Sequence, residues 1–360
     1  MKKLLAIAVA AALVAPAAAM ADTTLYGKLH ASVGAVKTTT AGASSTVNAV
    51  ESHASRFGIK GATALDNGME ATYGLEYGLD IDGDGTNAGT TAVPLANSNP
   101  SALSSRNTFV GLKGNFGEVR VGKHDTPAKL ATAGLDNFAD TYAAMENIIA
   151  TDGHRVNNAV AYINKFGPVG FAAAHSTNPV GAEAGAGTVP ASSNANTMMV
   201  NYGNGPWYAG LGQTNIQNVG KTTNLGLGWK AEAGHNVNFV YETAKGANSN
   251  AAFNGADVVG IPGTGANGAG LKDKNLYLAG GYKMGNVTLK AGYGTSKRSG
   301  DSAGLRNGTE KQTTLGADYS LGKKTSVYLL ANDNKNTNHA SGTALPTRTK
   351  ATAIGLVTEF

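Results

Sequence analysis

The chain has no cysteine among its 360 residues, so neither disulfides nor thiolate metal sites hold it together. Proline is scarce, 10 residues against 49 glycines. Glycine at that level without a G-X-Y period points to many turns and strands and excludes collagen. The excess of base over acid is also small. The formal net charge is +5, and taking Lys2 and Lys3 from the 29 basic residues leaves 27 against 24 acidic ones, or +3. That is too mild and too scattered for a nucleic-acid surface. After the first 21 residues no stretch approaches eighteen consecutive apolar residues, which excludes a transmembrane helix. Catalytic signatures are missing as well: the histidines show no HExxH spacing, and GxSxG is absent. Gly117-x4-Gly122-Lys123 nearly spells a phosphate-binding loop, but His124 stands where Ser or Thr would hold Mg²⁺. Asp80-x-Asp82-x-Asp84-Gly85 opens like a calcium loop, yet its twelfth position is Thr91 and no helices flank it, so it reads as a solvated acidic loop, with weak Ca²⁺ binding the alternative. No enzyme, metal or cofactor is expected.

What is present begins with an export signal. Lys2 and Lys3 precede a short apolar core, Leu4–Val14, and Ala19-Met20-Ala21 fits a cleavage site. Residues 1–21 are expected to be a signal peptide and 22–360 one large mature domain. No polar linker divides it.

The mature chain alternates. Met69, Ala71, Tyr73, Leu75, Tyr77 and Leu79 interleave with Glu70, Thr72, Gly74, Glu76, Gly78 and Asp80, a period of two. Leu25, Leu29 and Val33 oppose Tyr26, Lys28, His30 and Ser32, and Phe57 and Ile59 oppose Arg56 and Lys60. Tight glycine-bearing turns are predicted at 66–68, 115–117, 166–168, 204–206, 232–234, 284–286 and 321–323. Long polar loops are predicted at 37–53, 82–104, 125–153, 177–196, 216–222, 247–273, 298–309 and 334–348. Between them lie sixteen strands of about ten residues, the length a tilted strand needs to cross a bilayer. Alternation alone fits a soluble sandwich equally well. Strand length and the systematic short–long loop asymmetry favour an all-β fold, a 16-stranded antiparallel transmembrane β-barrel with short periplasmic turns and long extracellular loops. Phe116, Phe166, Tyr202, Trp207, Tyr282 and Tyr319 near strand ends suit an interfacial girdle. Phe360 falls on the apolar face of the closing strand, as an assembly signal would.

Two places break the pattern. Val110 and Leu112 share the parity of Arg106, which requires a bulge, and Lys123 also falls on the wrong parity. Leu135, Phe138, Tyr142, Met145 and Ile149 follow helical spacing and predict an amphipathic helix with Asp136 and Asp140 on another face and Glu146 at the edge. Within a barrel this segment becomes an in-folded third loop, its acidic face toward the lumen.

The pieces TLYGKL (24–29), SRFGIKG (55–61), FVGLKG with Arg106 (106–114), FGEVRVGK (116–123), HRVNNAVAY (154–162) and IGLVTEF (354–360), in this order, resemble the general porins of the Gram-negative outer membrane, in the neisserial and β-proteobacterial branch. The resemblance implies a homotrimer in the cell outer membrane, among lipid and lipopolysaccharide. It implies that the third loop narrows the pore, and that Arg56, Arg106 and Arg155 face its acidic residues. Strand parity independently turns Arg56, Arg120 and Arg155 toward water. The expected constriction therefore sets Arg56, Arg106, Arg155, Arg120 and Lys123 against Asp136, Asp140 and Glu146. Such a site passes small hydrophilic solutes and ions passively, with a mild preference for inorganic or organic anions. The alternatives are a solute-specific channel, for which the lumen face offers few aromatics, and a non-conducting barrel serving as adhesin or receptor.

Overall fold

The computed structural model describes residues 23–83, 103–153, 155–179, 194–217, 220–246, 272–300, 308–337 and 346–360. The predicted signal peptide, much of the long-loop sequence, and Asp84, Gly85 and Thr91 of the acidic loop lie outside them. The first strands are β1 (Thr24–Thr40), β2 (Ala43–Ser52), β3 (Arg56–Ala64), β4 (Glu70–Leu79), β5 (Leu103–Gly114) and β6 (Gly117–Asp125). After the third loop come β7 (Arg155–Phe166), β8 (Val169–Ser176), β9 (Ala195–Asn204), β10 (Trp207–Ile216), β11 (Gly220–Lys230) and β12 (Asn236–Gly246). The last are β13 (Lys272–Met284), β14 (Val287–Ser299), β15 (Gly308–Ser320), β16 (Thr325–Thr337) and β17 (Thr347–Glu359).

All belong to one antiparallel sheet, closed by β1 against β17 from Lys28↔Glu359 to Thr40↔Thr347. The seventeen described strands make sixteen staves, because β2 and β3 are two halves of one. β1 pairs with β3 over Thr24–Lys28 and with β2 over Ala31–Thr40. At the interruption Ala54 has φ 51°, and the Ser55 hydroxyl serves both the N–H and the C=O of His30, at 3.0 and 3.1 Å. Closure leaves no bare sheet edge, which hydrocarbon would not tolerate.

The faces are inverted relative to a soluble sheet. Val33, Val110, Val121, Val160, Leu315 and Ile354 are exposed on the outside, while Thr214, Asn224, Glu242, Asn275, Gln312 and Thr314 are buried inside. All seven predicted tight turns fall between the ends of described strands. The six predicted girdle aromatics, Phe116 to Tyr319, are exposed at this short-turn end. Phe360 exchanges backbone hydrogen bonds with Gly27, and its ring covers the space a side chain there would occupy.

Two predicted loops are corrected. Residues 37–53 are mostly strand, because β1 and β2 run on past the membrane-length core and meet at Ala41-Gly42, both with positive φ, the geometry that suits a two-residue hairpin turn. The link at 216–222 is also short: β10 ends at Ile216 and β11 begins at Gly220. The predicted break beside Arg106 is found as a register irregularity on its own strand; the bulge expected at Lys123 is not on β6. The first lies opposite Leu75/Tyr77, on β5 beside Arg106. A second irregularity lies across from Lys123, where Gly122↔Ala159 is followed by His124↔Val156, so the extra residue is on β7.

An Arg at an outward position near the bilayer midplane costs roughly 2–4 kcal/mol. Ile354→Arg is expected to lose stability on that scale in reversible urea unfolding from vesicles, whereas Ile354→Leu changes it little.

Candidate pore constriction

Residues 126–153 turn inward from the end of β6. Thr126 caps a single turn, α1 (Pro127–Leu130), accepting from the Lys129 N–H at 3.1 Å, with Pro127 in the first position. The predicted long helix does not form. The segment continues as short 3-10 turns at Ala133–Leu135, Met145–Asn147 and Ala150–Gly153. Its backbone groups are satisfied instead by side chains from the barrel wall. Asn224 donates to the Ala128 carbonyl at 2.8 Å, Gln312 to the Ala143 carbonyl at 2.9 Å and Asn332 to the Tyr142 carbonyl at 3.2 Å. Glu242 accepts from the Ala150 and Thr151 N–H groups at 2.8 and 3.0 Å. A helix would have kept these groups to itself, so a wall rich in Asn, Gln and Glu favours an open backbone.

The apolar residues of the predicted stripe still share one environment. Leu135, Phe138, Met145 and Ile149 are buried with Ile148 against Val240, Tyr277, Ala279, Tyr328 and Leu330 of the wall, with Tyr142 packed beside them. The wall makes room with glycine: a Cβ at Gly292 would stand 2.9 Å from the Phe138 ring, and one at Gly294 2.7 Å from Ile148. Inward glycines such as Gly292 and Gly294 are a row of absent side chains that the alternation of β14 carries in its sequence.

Opposite, the lumen faces of β1, β3, β5 and β6 carry a ladder of bases. The Lys28 Nζ lies 2.8 Å and the Arg56 Nη1 3.2 Å from the same Asp140 oxygen. Arg106 donates through Nε to Glu76 at 2.6 Å, and Tyr26 donates to the other Glu76 oxygen at 3.0 Å. Arg120 holds Glu118 through two hydrogen bonds, 2.7 and 2.9 Å, and its guanidinium lies 4.1 Å from the Phe109 ring centroid. Thr72 donates to Glu118 at 2.6 Å. Lys28, Glu76 and Glu118 were not among the expected site residues. Lys28 and Glu76 had the lumen parity, and their pairing required the register between strands.

The expected acids and bases separate into different places. Asp140 is where the ladder meets the loop; its φ is 56°, uncommon for a non-glycine residue. Burial would raise its carboxyl, but Lys28 and then Arg56 override this and hold it well below the usual carboxylate range. Asp136 turns the other way. One oxygen accepts from the Phe138 N–H and the Tyr277 hydroxyl, the other from the Met145 N–H, at 2.8 to 2.9 Å, so it staples the loop to itself and to the wall. Burial pushes its carboxyl up to about 6 against these hydrogen bonds. Glu146 is exposed on the third-loop surface. Arg155 sits at the loop's root, 3.1 Å from Asp125, which also pairs with Lys129 at 3.0 Å. Lys123 alternates with Gly122 and His124 on β6, and the irregularity across from it leaves that alternation unbroken.

A polar-lined closed barrel crossed by such a loop can be compared with known proteins. A family model described as Gram-negative porin matches residues 6–339. The chain belongs to the Gram-negative porin family. It is 27% identical to the major outer membrane protein P.IB of Neisseria sicca over 92% of each chain. It is 26% identical to that of Neisseria gonorrhoeae, again over 92% of each. Among solved structures, the anion-selective porin from Comamonas acidovorans superposes with TM-score 0.70 at 21% identity, covering 94% of this chain and 99% of that one. OmpF of Salmonella typhi, in complex with daunomycin, gives 0.60 at 15% identity, over 94% and 97%. The porin is thus an outer-membrane β-barrel channel.

The Asp136 staple carries a pH dependence. Its folded-state pKa, about 6, exceeds the unfolded value of about 3.9. Its contribution to loop seating is therefore full below the unfolded value and is lost as pH rises through about 6. Hydrogen exchange of residues 136–146, corrected for intrinsic rate, is expected to be slower at pH 5 than at pH 7.5, and Asp136→Asn is expected to remove the difference. The Asp140 pairs, held well below the usual range, stay intact across that interval.

Proposed function

We propose that the porin conducts small hydrophilic solutes and ions by passive diffusion, with a mild preference for anions set at the third-loop constriction. The carrying observation is the unequal saturation of the paired charges. Lys28, Arg56, Arg106 and Arg120 balance Asp140, Glu76, Glu118 and Glu146 in number, four and four. Placement differs. Both oxygens of Glu76 and of Glu118 accept from neighbours. A guanidinium has five N–H donors, and the ion pairs named use one or two of them. Passing anions therefore meet guanidinium donors with capacity left, while cations meet Glu76 and Glu118 already engaged on both oxygens, with Glu146 the acid left exposed. Close pairing keeps the net field small, which makes the preference mild. The anion-selective Comamonas porin shares the fold. The same reading includes cleavage after Ala21 and assembly as a homotrimer; one of the superposed Vibrio cholerae OmpT structures is described as a trimer form.

In planar bilayers under a KCl gradient, the reversal potential is expected to indicate modest chloride preference. Asp140→Asn, which frees Lys28 and Arg56 from their shared partner, should strengthen it, and Arg56→Glu should reverse it. A wild-type potential of clear cation preference, or no shift in either variant, would refute this assignment. Absence of single-channel steps from folded protein would favour the adhesin or receptor reading.

A further inference from the structure

The short-turn mouth of the lumen carries lysines that the constriction does not use. Three strands running toward this end stop on one: Lys165 is next to last in β7, Lys230 last in β11 and Lys283 next to last in β13. Register turns all three to the lumen. Lys165 shares a row with Gly170, Asn201 and Gly210, and a Cβ at Gly210 would run into the Ala131 carbonyl of the third loop. Lys230 faces Asn236, whose side chain accepts from Asn137 of the same loop at 2.8 Å. Lys283 lies two residues from Gly281, which faces Lys290, and the Lys290 Nζ donates to the Asn137 carbonyl at 2.9 Å. Lys165, Lys230 and Lys283 are exposed, and none makes an ion pair among the described residues. Lys60, also exposed, lies over the lumenal Tyr26 ring, 5.0 Å from its centroid.

The acids of this end are mostly spent. Lys113 holds Glu70 at 2.8 Å and Lys290 holds Asp318 at 2.9 Å. In the tight turns, Lys323 and Lys324 match Asp66 and Glu232 in number. Among the described residues this leaves Glu359, opposite Lys28, as the lumen-facing acid set against Lys60, Lys165, Lys230 and Lys283. The long-loop end of the lumen has no such excess of base. Asp125 lies between Lys129 and Arg155, and Asp273 takes two hydrogen bonds from Arg298. Glu310, accepting from Asn334 at 2.8 Å, adds acid there. The described lumen therefore runs from acid-leaning to basic along its axis. At the constriction between the two ends, Lys28, Arg56, Arg106 and Arg120 are all ion-paired.

We infer that the short-turn lysines form a second selectivity element, separate from the constriction, which makes the pore pass current more easily in one direction. Rings of Lys or Arg select anions, and unpaired charge at a mouth concentrates counter-ions there. Anions driven in through the lysine mouth enter faster than the less selective remainder of the pore removes them, so ions accumulate inside and conductance rises. Under the opposite polarity ions leave faster than they are replaced, and conductance falls. The effect depends on screening. The Debye length is about 10 Å at about 0.1 M salt and about 3 Å at about 1 M, so concentrated salt confines each lysine's field to its own surroundings. The inference rests on the channel reading, which single-channel steps report separately.

The test records single channels of the full mature protein in planar bilayers, in about 0.1 M and about 1 M KCl. Orientation is read from Gly322→Cys, in a turn where an added Cβ would meet nothing within 4 Å, by adding to one chamber a maleimide polymer too wide for the pore. In dilute salt the current is expected to be roughly 1.5-fold larger when anions enter from the turn end than under the reverse voltage, and in concentrated salt the two should be equal. Lys165→Gln/Lys230→Gln/Lys283→Gln should bring the dilute-salt ratio close to one, leave the concentrated-salt conductance unchanged, and keep the shift in reversal potential caused by Arg56→Glu. If the triple variant does not insert, each single Gln substitution should lower the ratio. Equal currents in dilute salt, a larger current in the opposite sense, or an undiminished ratio in the conducting variants would overturn the inference and leave the channel standing. Absence of single-channel steps would overturn both.

Discussion

Backbone hydrogen bonding in a medium that offers no partner governs this molecule. Every strand must find both neighbours within the chain, and the pairing of β1 with β17 supplies the last two. Once the sheet is closed, the apolar face has nowhere to go but outward and the polar face must enclose water. The interior is then a wall of Thr, Asn, Gln and Glu side chains, which would be costly in the core of a soluble sheet.

That polar interior is what seats the third loop. The loop forgoes a helix because the wall supplies its backbone partners one by one, from β11, β12, β15 and β16. Its apolar residues gather on the same side, over glycines that leave space for Phe138 and Ile148. The two loop aspartates divide the work. Asp136 faces inward and fixes the loop's shape. Asp140, held in a left-handed conformation, reaches the opposite wall and ties Lys28 to Arg56. The loop is therefore fastened on both sides of the lumen, by hydrogen bonds to its backbone on one and by ion pairs through Asp140 on the other.

Much of the fold was legible because its cause is local. Seven turns are marked by glycine, and the alternation in residues 69–79 states directly which face is which. The misreadings share another cause. The polar run 37–53 has loop composition, yet Ala41-Gly42 accepts a hairpin and the strands continue beyond the bilayer, where apolar residues are no longer required. The periodicity at 135–149 is real as a record of burial, since those residues do share a cluster, but it did not report the backbone path. In the constriction, parity placed Arg56 and Arg120 on the lumen side, while pairing of Arg106 with Glu76 or of Arg120 with Glu118 depends on register and reach that one strand does not contain. Asp136 was grouped with Asp140 on a helical face; without the helix, the two carboxylates point apart.

The closing seam has a further consequence. β1 finds β2 and β3 soon after it emerges, but its other neighbour is the final described strand. For the whole interval of synthesis and passage across the inner membrane, one side of β1 is an unsaturated ribbon flanked by residues suited to lipid. Such a ribbon will pair with whatever strand it meets. The architecture therefore leaves its closing pair for last: the first and final described strands must meet before either edge can rest in hydrocarbon.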